Sequence, residues 1–326
     1  MTLDDLLTAQ TTGVYSPASL HMLLKAAFGT PLDAAERSLH AGIIREDKSY
    51  GTDTPTASVI DAASGVWEIN TPPGARPNAD VVEHRTVPEI RAEEVNAWVR
   101  EKTRGLVERL ELDNPAGLIK LVVNTLYLKA FWDVPFMRER TEEGTFHGVE
   151  NSYARVEYMH QGSATFPVQL PVYQVAEYKV FRLPYRDKNL VFEVCLPDRE
   201  ELLPEALSIW KRPEEIPFAP TACVLMFPKF QLTSKIEFSP IKLLRRFPQY
   251  VSYAKGIPLK DVVIQQATKI IVDERGTEAA AATMFGMRGI PRERDHLQIF
   301  VNRPFAFRIF DRSLGLELFR GVVLDL

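Results

Sequence analysis

The spacing of apolar residues changes along the chain. Residues 14–29, VYSPASLHMLLKAAFG, place Leu20, Leu23, Leu24 and Ala27 on one helical face. Ser16 stands where an N-cap belongs, Pro17 at the first helical position and Gly29 at the stop. A polar stretch, REDKSYGTDTPT, leads into the strand-like ASVIDAASGVWEI, and residues 71–91 are broken by prolines. Residues 89–110, EIRAEEVNAWVREKTRGLVERL, predict a second helix. Ile90, Val95, Trp98 and Val99 share one side of it; Glu–Arg and Glu–Lys pairs occupy the other. Beyond residue 120 the pattern turns to strands. LVVNTLYLKAFW has few polar breaks, which predicts a strand covered on both faces. VFRLPY, LVFEVCLPD and ACVLMFPKF follow, and two apolar runs flank DRSLG as a hairpin. Helices early and strands late predict an α+β fold with large sheets.

One segment fits neither pattern. Residues 273–296 read DERGTEAAAATMFGMRGIPRERDH. The alanine run suits a helix stopped by Gly286. With period two, Thr277, Ala279, Ala281 and Thr283 share one face, and Glu278, Ala280, Ala282 and Met284 the other. Such a strand carries no bulk before Met284 and could slide between two others. The second half, rich in glycine, proline and charge, reads as an exposed loop.

Composition narrows the function. The chain has 326 residues, 45% of them hydrophobic, enough for a large core. A net charge of −4 gives nucleic-acid binding no support, and no apolar run is long enough to span a membrane. MTLDDLLTAQ has two acids and no basic start, so no signal peptide is expected; the localisation stays open, leaning cytoplasmic, with secretion by another route the alternative. Cys195 and Cys223 lie in separate apolar runs and read as buried thiols, although one disulfide stays open. GxSxG, HExxH, Walker A, GxGxxG and paired CxxC motifs are all absent. The histidines, including His147 and His160 beside strand-like pieces, are scattered. No catalytic residues, no metal and no cofactor are expected.

DERGTEAAAATMF resembles the hinge of the reactive-centre loop of the serpins, the serine-protease-inhibitor family. VYSPAS is similar to that family's helix B entry, with Ser16 and Ser19 at its serine positions. EEVNAWVREKTRGLVERL resembles helix F. LVVNTLYLKAFWDVPF is similar to strand 3 of sheet A, carrying Asn124, Lys129, Trp132, Pro135 and Phe136. FPKF and NRPFAFRIFD with GLELFRGVVLD resemble strands of sheets B and C. The resemblance implies one serpin domain over residues 1–326, with a central sheet A, sheets B and C, surrounding helices and a reactive-centre loop at 274–298.

The resemblance also implies site residues. Glu274, Gly276, Thr277, Glu278, Ala279, Ala280, Ala281, Ala282 and Thr283 match the hinge. Ser16, Ser19, Asn124, Trp132 and Gln266 match positions beneath the opening strands. The implied activity is suicide inhibition of a serine or cysteine protease by a monomer, through cleavage and insertion of the loop into sheet A. The alternative is a non-inhibitory binding or chaperone module. Loop length selects Ile290–Pro291 as the bait bond; chemistry favours Arg288–Gly289, with Arg292–Glu293 a further candidate. There are departures from the family pattern. The chain begins within the expected first helix, residues 42–90 are too few for helices D and E, and residues 241–262 match poorly. The histidine expected before strand 5 of sheet A is replaced near Gln266, an amide that donates and accepts but does not titrate. Gln266 is expected to join a hydrogen-bond network with Ser16 and Asn124.

Overall fold

The structure, a computed structural model, describes residues 10–28, 30–45, 57–69, 83–112, 115–150, 154–211, 216–277 and 295–326. Ser16 opens helix α1 (Pro17–Phe28) by accepting the Ser19 N–H on its Oγ at 3.1 Å. The predicted apolar face is wider than expected. Ala18, Met22, Ala26 and Phe28 are buried too, so α1 is a core helix rather than a surface one. Gly29, the expected stop, lies outside the described residues. Helix α2 (Ala34–His40) escaped the sequence reading. Its start signal is local: the Asp33 carboxylate accepts the Glu36 N–H at 2.9 Å, and Glu36 accepts the Asp33 N–H at 2.8 Å.

Two sheets organise the rest. Strand β1 (Gly13–Tyr15) edges the larger, ten-stranded sheet. β2 (Ile43–Arg45), β3 (Ser58–Ile69), β4 (Glu83–Val87) and β5 (Lys120–Phe131) belong to the smaller, seven-stranded sheet. β6 (Glu142–Phe146), β7 (Ala154–Gln161), β8 (Val168–Gln174), β9 (Tyr178–Pro184), β10 (Leu190–Pro197) and β11 (Ala219–Pro228) return to the larger one. β12 (Phe230–Phe238), β13 (Val262–Val272) and the two-residue β14 (Gly276–Thr277) complete the smaller one. β15 (Leu297–Phe300), β16 (Phe305–Asp311) and β17 (Leu316–Val323) complete the larger, with β16 and β17 forming the predicted hairpin. The sheets expected as B and C are continuous, joined where β8 pairs with β11.

The smaller sheet is sheet A. β5 is its centre, antiparallel to β3 and parallel to β13 over Lys120–Leu126 against Val262–Thr268. Flanked on both sides and covered on both faces, β5 is almost wholly buried, as its unbroken apolar run requires. Helix α3 (Ala92–Lys102) lies across the sheet through Val95, Trp98 and Val99. Its Trp98 meets Trp67 edge to face, ring centroids 5.4 Å apart. The second predicted helix therefore stops short of residue 110. Arg104 (φ 50°) and Gly105 (φ 84°) take left-handed backbone, which ends the helix, while Val107 and Leu110 still pack into the same cluster. Between the short helices α4 (Leu203–Ala206) and α5 (Pro240–Arg246) run β11 and β12. Cys195 and Cys223 are both buried and free, with burial pushing their thiols up to about 12 and about 11.

Trp98→Ala should unclip α3 from sheet A and lower stability by about 3–5 kcal/mol. Urea unfolding checks this; a loss under about 1 kcal/mol would mean that the Trp67–Trp98 contact does not hold the helix.

Candidate functional site

The seam between β5 and β13 splits at one end. Below Leu126 and Thr268 the two strands are paired directly. Above, β14 enters between them, Thr277 facing Val272 on one side and Ala130 on the other, antiparallel to both. Among the described residues no strand lies between Leu128–Lys129 and Lys269–Ile271. The seam is thus a slot with a two-residue wedge at its mouth.

The mouth is densely bonded. The Trp132 backbone N–H donates to the Arg275 carbonyl and the Phe136 N–H to the Glu274 carbonyl, both at 2.7 Å. The Trp132 indole Nε1–H donates to the Asp273 carbonyl at 2.9 Å. Asp273 turns the chain by accepting the Arg275 and Gly276 N–H groups on Oδ1 at 2.9 and 3.2 Å. Gly276 is required by space: a Cβ there would sit 2.0 Å from the Ala130 carbonyl oxygen. Thr277 is buried, and its hydroxyl lies 2.6 Å from the Tyr185 hydroxyl. Tyr185 in turn stacks on Trp132, centroids 4.6 Å apart at 13°. Burial pushes the Tyr185 phenol well above its usual range, so it stays a neutral hydrogen-bond partner for Thr277.

Charge fixes the outer side. The Glu274 carboxylate accepts from Thr141 Oγ1 at 2.9 Å and pairs with Lys229 Nζ at 3.4 Å. Burial pushes this carboxyl up, but its own backbone N–H, Thr141 and Lys229 outweigh that and hold it below the usual range. Neighbouring Asp273 goes the other way: burial raises it despite two backbone donors.

Deeper along the seam, Gln266 takes the Ser16 N–H on Oε1 at 2.9 Å and returns Nε2–H to the Ser16 carbonyl at 3.1 Å. Asn124, beside Gln266 in register, does not join them. Its Nδ2 donates to Ser64 Oγ at 2.9 Å, and its buried Oδ1 accepts no hydrogen bond among the described residues. The expected network is therefore two separate pairs, because the alternation of β3 brings Ser64 directly opposite Asn124. The Ser19 side chain makes no bond to either; only its backbone N–H bonds Ser16.

The structure brings together Glu274, Gly276, Thr277 and Trp132 at the mouth, and Ser16 and Gln266 below it. Glu278, Ala279, Ala280, Ala281, Ala282 and Thr283 lie outside the described residues, as do Arg288, Gly289, Ile290, Pro291, Arg292 and Glu293. Sequence reasoning missed Tyr185 and Thr141. Tyr185 closes the apolar VFRLPY, and the only signal is that a buried tyrosine needs a hydroxyl partner.

The described residues define a sheet whose central strands part to admit a two-residue strand. The family model described as Serpin (serine protease inhibitor) matches residues 78–326, and the chain belongs to that family. Kallistatin from Homo sapiens is 30% identical over 247 residues, covering 71% of this chain and 57% of its own length. The chain thus spans little more than half of that relative. Tengpin, a thermophilic serpin in its native state, superposes with a TM-score of 0.74 at 18% identity, covering 97% of this chain and 89% of its own. The complex of thyroxine-binding globulin with thyroxine gives 0.69 at 19% identity, covering 98% and 94%. At these identities the two structures show the fold alone.

Glu274→Gln should loosen the hinge. The Glu274 carboxyl is lowered in the folded state, so its contribution is complete above its ordinary value near 4.5 and is lost as pH falls through the lower folded value. Wild type should therefore lose more stability than Glu274→Gln on acidification through that window, although the Glu274 charge also helps raise Asp273 and that contribution goes with it in the variant. Parallel melting curves in the two proteins would contradict the anchor.

Proposed function

We propose that the chain is a suicide inhibitor of a trypsin-like serine protease, acting by loop cleavage and insertion into sheet A. The observation that carries this reading is β14, seated antiparallel between β5 and β13 at the mouth of the slot. If insertion continues this register, Ala279 would come between Leu128 and Ile270, Ala281 between Leu126 and Thr268, and Thr283 between Asn124 and Gln266. All share the face of Thr277, where only small side chains pass the buried Leu128, Leu126 and Ile270. Ala282 falls beside Ala267, beneath the cluster that seats α3. The register runs out at Met287, opposite Lys120 and Val262, the first residues of β5 and β13.

Arg288 is the first residue past that end. Its side chain suits the acidic pocket of a trypsin-like enzyme, whereas a bond to Pro291 suits few serine proteases. In the proposed sequence the protease serine attacks the Arg288 carbonyl, Gly289 leaves as the amine, and an acyl-enzyme forms. The freed segment then enters the slot and carries the protease along the sheet before water can release it. About a dozen new backbone hydrogen bonds at about 1 kcal/mol net each make insertion irreversible in practice. The fold before cleavage is then a kinetically held state.

Three outcomes test this reading. Incubation with trypsin should give a complex that survives denaturing electrophoresis, and the released peptide should begin at Gly289. A peptide beginning at Pro291 or Glu293 moves the bait bond; Arg288→Ala should abolish the complex without changing the melting curve. Thr277→Arg should convert inhibitor to substrate, because a guanidinium cannot replace the Thr277 hydroxyl against Tyr185 without several kcal/mol of desolvation (order of magnitude). Cleavage without complex is expected; a complex at wild-type yield would mean that Thr277 does not lead insertion. A clean nick between Met284 and His296 should raise the melting temperature by tens of degrees (order of magnitude). Unchanged melting would favour the non-inhibitory module.

A further inference from the structure

Residues 239–260, SPIKLLRRFPQYVSYAKGIPLK, hold five lysines and arginines and no aspartate or glutamate, in a chain whose net charge is −4. This is the region that matches the family pattern poorly, and loop insertion makes no use of it. Helix α5, the single turn Pro248–Tyr250 and the turns that follow form one layer beside α1. Leu243, Leu244, Tyr250 and Ala254 are the buried side of that layer, in one cluster with Leu20, Leu23, Leu24 and Phe28. The Tyr250 and Phe28 ring centroids lie 6.1 Å apart.

The outward side of the layer combines charge with apolar surface. Lys242, Arg245, Arg246, Lys255 and Lys260 are exposed. Among the described residues Lys242, Arg245, Lys255 and Lys260 enter no ion pair. Asp33 and Glu36 reach the Tyr250 side of the layer, and both are paired with Lys25. On α5, Ile241, Lys242, Arg245 and Arg246 fall within one arc of about 140°, opposite the buried Leu243 and Leu244. Between the cations stand Ile241, Val251 and Tyr253, 50%, 48% and 54% exposed.

Cations without counter-charges call for an anionic partner. A soluble polyanion would use the cations and leave Ile241 and Val251 in water. A lipid surface takes both: anionic headgroups meet the lysines and arginines, and the boundary beneath them accepts the apolar side chains. A second copy of the same face would set like charges against each other. We propose that residues 239–260 are a docking surface for an anionic lipid membrane, with Lys242, Arg245, Lys255 and Lys260 at the headgroups and Ile241, Val251 and Tyr253 in the interface. No helix among the described residues is long and apolar enough to cross a membrane, and peripheral docking needs none. The layer leads into Val262, the first residue of β13, whereas the hinge strand β14 pairs with Val272, its last. A docked chain thus keeps its hinge clear of the lipid contact, and the proposal does not rest on insertion.

The test is sedimentation of the full chain with vesicles of phosphatidylcholine, alone or with about 30% phosphatidylserine, at about 0.15 M salt. Binding to the serine-containing vesicles should be at least about tenfold tighter. Lys242→Ala with Arg245→Ala should weaken it about 25-fold, about fivefold for each cation. Ile241→Ser with Val251→Ser should weaken it at least about fivefold. Tyr253→Trp reads depth: the four native tryptophans are buried, so brominated lipid should quench the added indole. No binding to either vesicle, or equal binding to both, overturns the proposal, and neither result needs a variant to fold. Vesicle binding that survives loss of Ile241 and Val251, or that leaves the added indole unquenched, marks a site for a soluble polyanion and overturns it too. No protease enters the assay, so a failed inhibition experiment leaves its result standing.

Discussion

The architecture depends on the seam between β5 and β13. Two parallel strands are paired over seven residues and then held apart by a wedge of two. Backbone N–H and C=O groups along a strand alternate sides, so every second residue above the split points into the slot. The Trp132 and Asp273 N–H groups donate to the hinge, and the same alternation aims those of Leu128 and Ile271 into the slot. Among the described residues the central sheet is split at one end, and the groups around the split hold the two-residue wedge in place. Trp132, Tyr185 and Glu274 seat the wedge; Ser16 and Gln266 brace the seam beneath.

Much of this was legible in the residues. The unbroken apolar run of β5 announced a strand flanked on both sides, and Leu20, Leu23 and Leu24 announced α1. Gly276 and Thr277 stood out through small size and period. The limits were equally physical. The end of the second helix turned on left-handed backbone at Arg104, a residue type that rarely adopts it. Helix α2 rested on a reciprocal cap at Asp33 and Glu36 within a segment of only seven residues. Tyr185 became visible only when tertiary packing put it on Trp132. The partner of Asn124 depended on strand register, which no local pattern encodes.

The brace beneath the seam is electrically neutral. Gln266 makes two hydrogen bonds with the Ser16 backbone and carries no proton to lose. The split is therefore held by geometry at a range of pH, while the titrating groups sit at the mouth, where Glu274 and Asp273 shift in opposite directions.

The central claim is that the slot receives the hinge as a strand. Amide hydrogen exchange at Leu128 and Ile271, before and after cleavage of the loop, tests it at the edges of the slot. The account predicts that both amides become protected after cleavage to the level of Val122 and Gln265, deep in the paired seam, while β16 and β17 stay unchanged. Exchange at Leu128 and Ile271 that is the same in intact and cleaved protein would contradict it.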